Sequence, residues 1–273
     1  MPESDVRSRV AGVLETSEVE VGPREPDWIL EEARRLASSD DEVERIALDY
    51  AARRARGEPL QYVLGTAAFR HLELSVGPGV LVPRPETEVL VERALARLPE
   101  DGAIVDVGTG SGAIALAIKY ERPTTRVWAT DDSPEAIGYA QANRTQLDLD
   151  VEILCGSLFE PLPGSMRGDF DVVVSNPPYV SEAETHLVGT DVLGHEPGHA
   201  VFGGGGDGLD IVTTLVSEAR SWLRPGGWLV CEIGHGQSRA VVDLFTSAGF
   251  TGAGVHKDLA GWDRIVEGRK PAA

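Results

Sequence analysis

Residues 103–121 read AIVDVGTGSGAIALAIKYE, and their pattern indicates the class of fold. The segment AIVDVG predicts a strand, SGAIALAIKYE predicts a helix, and glycines at positions 108, 110 and 112 form the turn between them. Glycine has no Cβ, so such a turn lets the backbone approach a ligand closely. A strand, a Gly-rich turn and a helix in this order are typical of a ligand-binding edge in an α/β sheet.

The same alternation of strands and helices continues to the end of the chain. Further strands are predicted at RVWATD, VEILCG, FDVVVSN and WLVCEIG, and near TGAGVH and DRIVEG. Further helices are predicted at SPEAIGYAQANRTQL, at QSRAVVDLFTSAG, and at DGLDIVTTLVSEARSWL, which stops at Pro225-Gly226-Gly227. Strands that alternate with helices in this way predict an α/β fold with a doubly wound parallel sheet.

Two other regions precede this sheet. Residues 6–56 show helical periodicity, with capping residues at positions 38–41, and predict a small helical domain. Residues 62–83 alternate apolar and polar side chains and predict a β-hairpin, after which RPETEVLVERALARL predicts a helix. We therefore divide the chain into a helical N-terminal domain (1–58), a β-hairpin connector (59–84) and a sheet domain (85–273).

Composition limits the classes of function. The 273 residues are 42% hydrophobic and 25% charged, as in ordinary folded proteins, and no apolar run is long enough to span a bilayer. We therefore expect a cytoplasmic protein. The formal net charge of −19 repels phosphate backbones and so disfavours an extended grip on DNA or RNA. The glycine run FGGGGDG (202–208) has no basic residue beside it and predicts a flexible loop, not a phosphate site.

The acidic residues around the glycine turn indicate what it binds. Asp106 precedes the turn, and the Gly-x-Gly-x-Gly spacing is tighter than the Gly-x-Gly-x-x-Gly of dinucleotide enzymes. Asp131 ends the next strand, a position suited to binding the hydroxyls of a ribose. Two alternatives stay open: Asp132 could take that role, or Asp131 could only cap the helix that begins at Ser133 and Pro134.

These features resemble class I methyltransferases, which bind S-adenosylmethionine and release S-adenosylhomocysteine. The resemblance implies a Rossmann-like seven-stranded sheet, with Asp131 binding the ribose and Leu158 flanking the adenine beside Ser157. The other implied cofactor-binding residues are Asp106, Gly108, Thr109, Gly110, Ser111, Gly112 and Asn176. Because the sulfonium already makes the methyl group electrophilic, the protein has mainly to place a nucleophile in line with it.

The stretch VVVSNPPYV (172–180) leaves a predicted strand through two prolines, which stiffen the backbone. It suits an amide or arylamine nucleophile: the Asn176 side-chain oxygen accepts one N–H, and the Pro177 carbonyl accepts the other. Pro178 restricts the backbone further, and the Tyr179 ring packs on the planar substrate group. The alternative is a plain turn with an exposed tyrosine. Since the motif contains no base, we expect a transfer rate that is nearly flat from about pH 6 to about pH 9.

Further blocks narrow the resemblance. They are GEPLQYVLGTAAF (57–69), VGPGVLVPRPETEVLVE (76–92), DVGTGSGAIALA, VSNPPYV, DVLGHEPGHAVFGGGGDGLDIV (191–212), CEIGHGQ and DRIVEGR. From about residue 57 to the end they resemble the peptide chain release factor glutamine methyltransferase family, and PRPETE is the most specific block. The first 56 residues match this family only in being helical.

The resemblance implies a substrate and a partner. The chain would methylate the side-chain amide of the glutamine in the Gly-Gly-Gln loop of class 1 peptide chain release factors, and the N-terminal domain would bind the partner. Residues 176–179 would hold the glutamine, and Arg84, Pro85 and Glu88 would lie near the site. For Arg84 and Glu88 the alternative is an ion pair with each other at helical spacing.

Several other interpretations stay open. The same chemistry could act on a ribosomal protein glutamine, and a DNA adenine methyltransferase or a non-catalytic cofactor-binding module is more distant. The intact Asn176 and Tyr179 argue against a non-catalytic module. Glu232, His235 and Gln237 are expected only to pack at a strand end. We predict no metal site, because no metal-ligand spacing is shown by His71, His186, His195, His199 and His256.

Overall fold

The computed structural model describes residues 3–17 and 19–272. Its helices are α1 (Glu3–Leu14), α2 (Glu25–Leu36), α3 (Asp40–Ala55), α4 (Leu60–Leu64), α5 (Thr87–Arg97), α6 (Ala113–Glu121), α7 (Pro134–Gln146), α8 (Thr190–His195), α9 (Gly198–Val201), α10 (Asp210–Trp222) and α11 (Ser238–Ser247). Its strands are β1 (Thr66–Phe69), β2 (Leu72–Ser75), β3 (Ala103–Val107), β4 (Arg126–Asp131), β5 (Val151–Cys155), β6 (Phe170–Ser175), β7 (Leu223–Glu232), β8 (Thr251–Lys257) and β9 (Asp263–Arg269). Two short 3₁₀ segments lie at Gly164–Met166 and Glu182–Leu187.

The first three helices pack around their own apolar cluster, which includes Ile29, Leu30 and Ala33 of α2. The predicted capping region is confirmed, since the Ser39 side chain accepts a hydrogen bond from the backbone at the start of α3. The helical character expected for residues 6–56 is therefore correct where the structure describes it.

The connector differs in part from its predicted form. A β1–β2 antiparallel hairpin is present, but it spans only residues 66–75, and the preceding residues 60–64 form helix α4. Gly65 ends this helix in the left-handed region at φ +77°, a conformation that glycine adopts without strain. After the hairpin the chain runs beside α7, where a Cβ on Gly77 would lie 2.3 Å from the Tyr139 hydroxyl oxygen.

The large sheet has seven strands in the order β5-β4-β3-β6-β7-β9-β8. Its strands pair in parallel from β5 to β7, and β9 runs antiparallel to both of its neighbours. Every residue of the central strands β3 and β6 is buried, as expected for parallel strands covered on both faces. The predicted seven-stranded α/β sheet is confirmed, with two antiparallel pairings at its C-terminal edge.

Strand order places the site. The chain winds from β3 outward to β5 and then returns to place β6 on the other side of β3. In an open α/β sheet, ligands bind at such a reversal, beyond the carboxyl ends of the strands. The glycine turn follows β3 and the Asn-Pro-Pro-Tyr segment follows β6, so the topology brings the two motifs together.

Two segments near the site differ from their predicted forms. Strand β7 begins at Leu223 and continues through Pro225-Gly226-Gly227, where its register with β6 shifts, so these residues form an irregular part of a strand. Between β6 and α10 lies an insert, residues 181–209, which contains the short helices α8 and α9 that the sequence did not predict.

Candidate active site

The glycine turn after β3 adopts the conformation that its sequence requires. Gly108, Gly110 and Gly112 all have φ values in the left-handed region, at 75°, 57° and 86°. A Cβ built on Gly108 would meet no atom within 4 Å, so open space lies beside this backbone. Gly112 is the N-cap of α6 and does not line the cavity. A Cβ built on it would lie 2.9 Å from a Leu116 side-chain atom, so close packing requires glycine here.

Asp106 supports the turn from beneath. It is fully buried, and one carboxylate oxygen accepts hydrogen bonds from the Thr109 hydroxyl at 2.6 Å and from the Ala115 N–H at 3.2 Å. Burial raises the pKa of Asp106 to about 7. The residue does not line the cavity, and its observed role is to support the turn; its direct contact with the cofactor stays a prediction.

Asp131 lies at the carboxyl end of β4, facing the turn. Its two oxygens accept from the Gly110 N–H at 2.8 Å and from the Ser133 N–H at 3.0 Å. Ser133 itself is the N-cap of α7. A carboxylate oxygen has two lone pairs, so both Asp131 oxygens can also accept from hydroxyl groups in the cavity. Burial raises the pKa of Asp131. Asp132 lines the same cavity, so both carboxylates are placed where they could bind the ribose hydroxyls.

A cavity of about 280 Å³ occupies the switch point of the sheet. Residues predicted to bind the cofactor that line it are Gly108, Thr109, Gly110, Ser111, Asp131, Leu158 and Asn176. Leu158 follows β5 with φ 46°, and its carbonyl accepts from the Thr130 hydroxyl at 2.7 Å. The sequence did not predict that Val80, Leu81 and His199 also line this cavity, because they come from the connector and the insert.

A second cavity, of about 140 Å³, adjoins the first on the side of the Asn-Pro-Pro-Tyr segment. It is lined by Leu81, Arg84, Asn176, Pro177, Pro178, Tyr179, Val180, Val188, Val192, Ala200 and Val201. Asn176 and Pro178 line both cavities. The Asn176 amide therefore lies where the contents of the two cavities would meet.

The Asn176 amide has a fixed orientation. Its Nδ2 donates to the Thr87 hydroxyl oxygen at 3.1 Å, which leaves Oδ1 to accept hydrogen bonds from a bound group. Among the described residues, no N–H or O–H donates to the Pro177 carbonyl. The two acceptors that the sequence predicted are thus both available.

The Asn-Pro-Pro-Tyr backbone is held by the glycine run at 202–208. Val180 and Phe202 form a parallel β-bridge, and a Cβ on Gly208 would lie 2.2 Å from the Tyr179 carbonyl oxygen. The expectation of a flexible loop is wrong at both ends of this run, which pack against the motif. Gln237 also supports this backbone, since its Nε2 donates to the carbonyls of Tyr179 and Asp207 at 2.8 and 2.9 Å. The sequence did not predict this positioning role.

Of the three PRPETE residues expected near the site, only Arg84 lines a cavity. Arg84 lines both cavities, and its guanidinium pairs with the buried Glu196 of the insert at 2.7 Å. Glu88 does not reach either cavity, because its carboxylate accepts from the Arg70 N–H in the hairpin at 3.0 Å. The structure gives the substrate contact of Glu88 no support, and Arg84 pairs with Glu196 and not with Glu88, as the alternative had it. Pro85 is exposed and lines neither cavity.

Tyr179 is not the exposed side chain of a plain turn. Its hydroxyl donates to Oε1 of Glu232, at the end of β7, over 3.4 Å. Burial and the nearby Glu232 charge raise the pKa of Tyr179, so the phenol stays protonated near neutrality. Glu232 is itself 1% exposed, and burial raises its pKa to about 7. The expectation that Glu232 only packs at a strand end is therefore wrong.

Within residues 3–17 and 19–272 no group of three or more His, Cys, Asp or Glu side chains is arranged to hold a metal ion. No helix in that part of the chain has the length and apolar content needed to cross a bilayer.

A family model described as "Methyltransferase small domain" matches residues 85–206. The "Release factor glutamine methyltransferase" of Geobacter sulfurreducens is 45% identical over 218 residues, 80% of this chain and 75% of that protein. The protein of the same name from Mycolicibacterium smegmatis is 42% identical over 242 residues, 87% of this chain and 84% of that protein.

Solved structures support the fold. A methyltransferase from Pyrococcus furiosus has a TM-score of 0.57 at 21% identity, over 75% of this chain and 91% of that chain. A Thermus thermophilus 16S rRNA N2 G1207 methyltransferase, solved with AdoMet and guanosine, has a TM-score of 0.54 at 22% identity, over 75% of this chain and 49% of that chain. At such identities the likeness concerns the fold alone.

Proposed function

The chain belongs to the release factor glutamine methyltransferase family, and on this premise we propose that it transfers a methyl group from S-adenosylmethionine to a release factor glutamine. The acceptor atom is the side-chain amide nitrogen of the glutamine in the Gly-Gly-Gln loop. The products are the N-methylated glutamine and S-adenosylhomocysteine.

The observation that carries the proposal is the position of Asn176 on the wall shared by both cavities. The larger cavity, with the glycine turn and Asp131, suits the cofactor. The smaller cavity, lined by the Asn-Pro-Pro-Tyr segment, suits a single side chain that enters from a partner protein. A nucleophile bound in one cavity then faces the methyl group held in the other.

The described residues fit S-adenosylmethionine. The open space beside Gly108 allows the amino-acid end of the cofactor to approach the backbone, and Asp131 keeps lone pairs for the ribose hydroxyls. Leu158 offers an apolar surface to the adenine. The cofactor supplies an electrophilic methyl group on a sulfonium, so this chain needs to supply only binding and orientation.

The acceptor cavity supplies orientation and dipoles. Asn176 Oδ1 and the Pro177 carbonyl accept the two N–H bonds of the glutamine amide, which directs the nitrogen lone pair toward the methyl carbon. Positive charge that develops on this nitrogen meets two carbonyl dipoles that are already oriented. The Tyr179 ring would pack against the amide plane while the methyl group passes from sulfur to nitrogen. The methylated nitrogen would then release one proton to water, which leaves the neutral N-methyl amide.

Mass spectrometry of a purified class 1 release factor, after incubation with the protein and methyl donor, tests the proposal. We expect one added methyl group on the glutamine of the Gly-Gly-Gln loop. A release factor with Gln→Ala at that position is the matched control, and duplex DNA and a ribosomal protein mixture are competing acceptors. Methylation of the Ala control at the wild-type rate, or preferential methylation of DNA or ribosomal protein, would show that the acceptor is wrong.

A further inference from the structure

A buried carboxylate lies directly behind the acceptor motif. Glu232 ends β7 and contacts the Tyr179 hydroxyl through Oε1. It also lies near the Thr87 hydroxyl, and hydrogen bonding from that hydroxyl lowers the pKa of Glu232. Its other oxygen, Oε2, has no partner of standard hydrogen-bond geometry among the described residues. Burying a carboxylate that is 1% exposed and lacks one hydrogen-bond partner lowers the stability of the fold. Such a group at this place suggests a function.

Asn176, Thr87 and Glu232 can form a hydrogen-bond chain with one direction. Asn176 Nδ2 donates to Thr87 Oγ1 at 3.1 Å. The Thr87 hydroxyl has a single hydrogen, and since its oxygen already accepts from Asn176, that hydrogen is free for an acceptor. Glu232 is the nearby carboxylate whose pKa this hydroxyl lowers, and an ionised carboxylate can only accept. The direction of donation therefore runs from Asn176 through Thr87 to Glu232.

We propose that Glu232 is a positioning residue for methyl transfer, which acts through Thr87 to keep the Asn176 oxygen, and not its NH₂ group, directed at the acceptor amide. Through its contact with Tyr179 it also fixes the ring that packs against the same amide. This inference rests on the proposed function, because it assumes that Asn176 Oδ1 accepts a hydrogen bond from the acceptor.

A fixed direction matters because an asparagine amide has nearly the same shape after a 180° turn. A hydroxyl alone can donate or accept, so Thr87 without a partner would tolerate either orientation of Asn176. The flipped amide would present N–H groups to the N–H groups of the glutamine and lose the stabilising dipole. A carboxylate behind Thr87 removes the second orientation. A protonated Glu232 could instead donate to Thr87, reverse the chain and restore that orientation.

The surroundings of Glu232 determine when it is ionised. Burial is the largest influence and raises its pKa, Glu86 raises it further, and Arg264 of β9 and the Thr87 and Tyr179 hydroxyls lower it. The resulting pKa of about 7 lies within the range where enzymes are assayed. The expectation of a flat rate above about pH 6 therefore changes: the rate should fall as Glu232 takes up a proton, although Glu232 is not a base for the reaction.

The test is the single-turnover rate of methyl transfer to release factor across about pH 5.5 to 8.5, in wild type and in Glu232→Gln. At the upper end we expect the variant to be ~10- to 100-fold slower, because glutamine can donate to Thr87 and allow the flipped amide. Toward the lower end the wild-type rate should approach the rate of the variant, which should itself be nearly flat. The donor dissociation constant, measured by calorimetry, should stay within about 2-fold and so report an intact fold.

Substitutions of Thr87 provide the matched pair. Thr87→Val keeps the shape but removes the hydroxyl, and it should slow transfer by a factor similar to Glu232→Gln. Thr87→Ser keeps the hydroxyl and should restore most of the wild-type rate. Glu86→Gln is the control outside the chain: it should leave the upper plateau unchanged and move the midpoint of the pH profile to lower pH.

The outcomes separate this inference from the proposed function. If wild type fails to methylate the glutamine at any pH, the proposed function is wrong. If wild type methylates it but Glu232→Gln keeps the wild-type rate, or keeps the wild-type pH profile at a lower rate, the role of Glu232 is wrong. Equal rates for Thr87→Val and Thr87→Ser would overturn it as well, since only the hydroxyl distinguishes them.

Discussion

Two buried carboxyl groups lie beneath the two halves of the site, Asp106 under the glycine turn and Glu232 under the Asn-Pro-Pro-Tyr segment. Burial raises the pKa of each to about 7, and each keeps one oxygen without a hydrogen-bond partner among the described residues. They differ in the origin of their partners. Asp106 binds Thr109 and Ala115, three and nine residues away, whereas Glu232 contacts Tyr179, 53 residues away.

The difference shows how the two cavities are built. The cofactor half is formed largely by successive strand ends and the turns that follow them, so most of its predicted residues directly follow the strand that positions them. The acceptor half is lined by the connector, the segment after β6 and the insert at 181–209. Thr87 at the start of α5 and Glu232 at the end of β7 contact its side chains from behind. We therefore expect substitutions in the acceptor half to change transfer more than cofactor binding, and substitutions in the cofactor half to do the reverse.

Asn176→Ala should give the largest effect and tests most directly whether the two halves of the site have separate roles. The variant loses one preorganised acceptor for the developing charge, which should reduce turnover by ~10²–10³-fold. Cofactor affinity should fall by less than about 10-fold, because Asn176 is only one of many residues on the larger cavity. Turnover at saturating donor and calorimetric titration of the donor give the two numbers. Equal losses in turnover and in donor affinity would contradict the separate roles of the two cavities.

Gly208→Ala should have the next largest effect, on the acceptor half alone. Its φ is +75°, and the new Cβ would lie 2.2 Å from the Tyr179 carbonyl oxygen, so the motif must move. We expect a loss of roughly 2–4 kcal/mol in the free energy of unfolding, together with slower transfer. Gly206→Ala is the matched control, since a Cβ there meets nothing within 4 Å, and it should change stability by less than about 0.5 kcal/mol. Urea unfolding of both variants decides the matter, and equal stabilities would contradict the packing role of the run.

The same division explains what could be read from the sequence. The seven-stranded sheet and the cofactor turn were predictable because strand, turn and helix signals are local, and Gly108 and Asp131 lie where such signals end. Asn176 and Pro177 were recognisable because the motif is contiguous. Glu232 and Gln237 were not, since their roles depend on long-range contacts with Tyr179.

The errors have physical causes of the same kind. Glu88 has the residue type and position of a substrate ligand, yet the hairpin places a free backbone N–H from Arg70 within its reach. The glycine run at 202–208 has a flexible composition, but small residues also allow two backbones to pack closely, and the contact of Gly208 with Tyr179 requires that. Composition alone does not distinguish these two uses of glycine.

Asp131→Ala should act mainly on the cofactor half. It removes the acceptor proposed for the ribose hydroxyls and the bond to the Gly110 N–H, so donor binding should weaken by roughly 1.5–3 kcal/mol. Asp132→Ala is the matched control on the same cavity and should weaken binding by less than about 0.5 kcal/mol. Calorimetric titration of the donor into both variants compares them. A larger loss for Asp132→Ala would assign the ribose to Asp132 and not to Asp131.

The smallest expected effect is on the pH dependence of stability, and it should be the same for Asp106 and Glu232. Their native pKa values of about 7 exceed the value of about 4 expected in the unfolded chain, so between these values the native state binds more protons. Their contribution to stability is therefore greatest at low pH and is lost as pH rises through the native pKa. From about pH 6 to about pH 8, each group should lower the free energy of unfolding by about 1 kcal/mol.

Asp106→Asn and Glu232→Gln should each remove that share of the pH dependence, as measured by urea unfolding at both pH values against wild type. Other titrating groups are common to all three proteins and cancel in the comparison. If one variant keeps the full wild-type difference, that carboxyl group is already ionised in the folded protein at the lower pH. For Glu232 this would mean that the hydrogen-bond chain through Thr87 keeps its direction across the whole assay range, and the pH profile of transfer should then be flat.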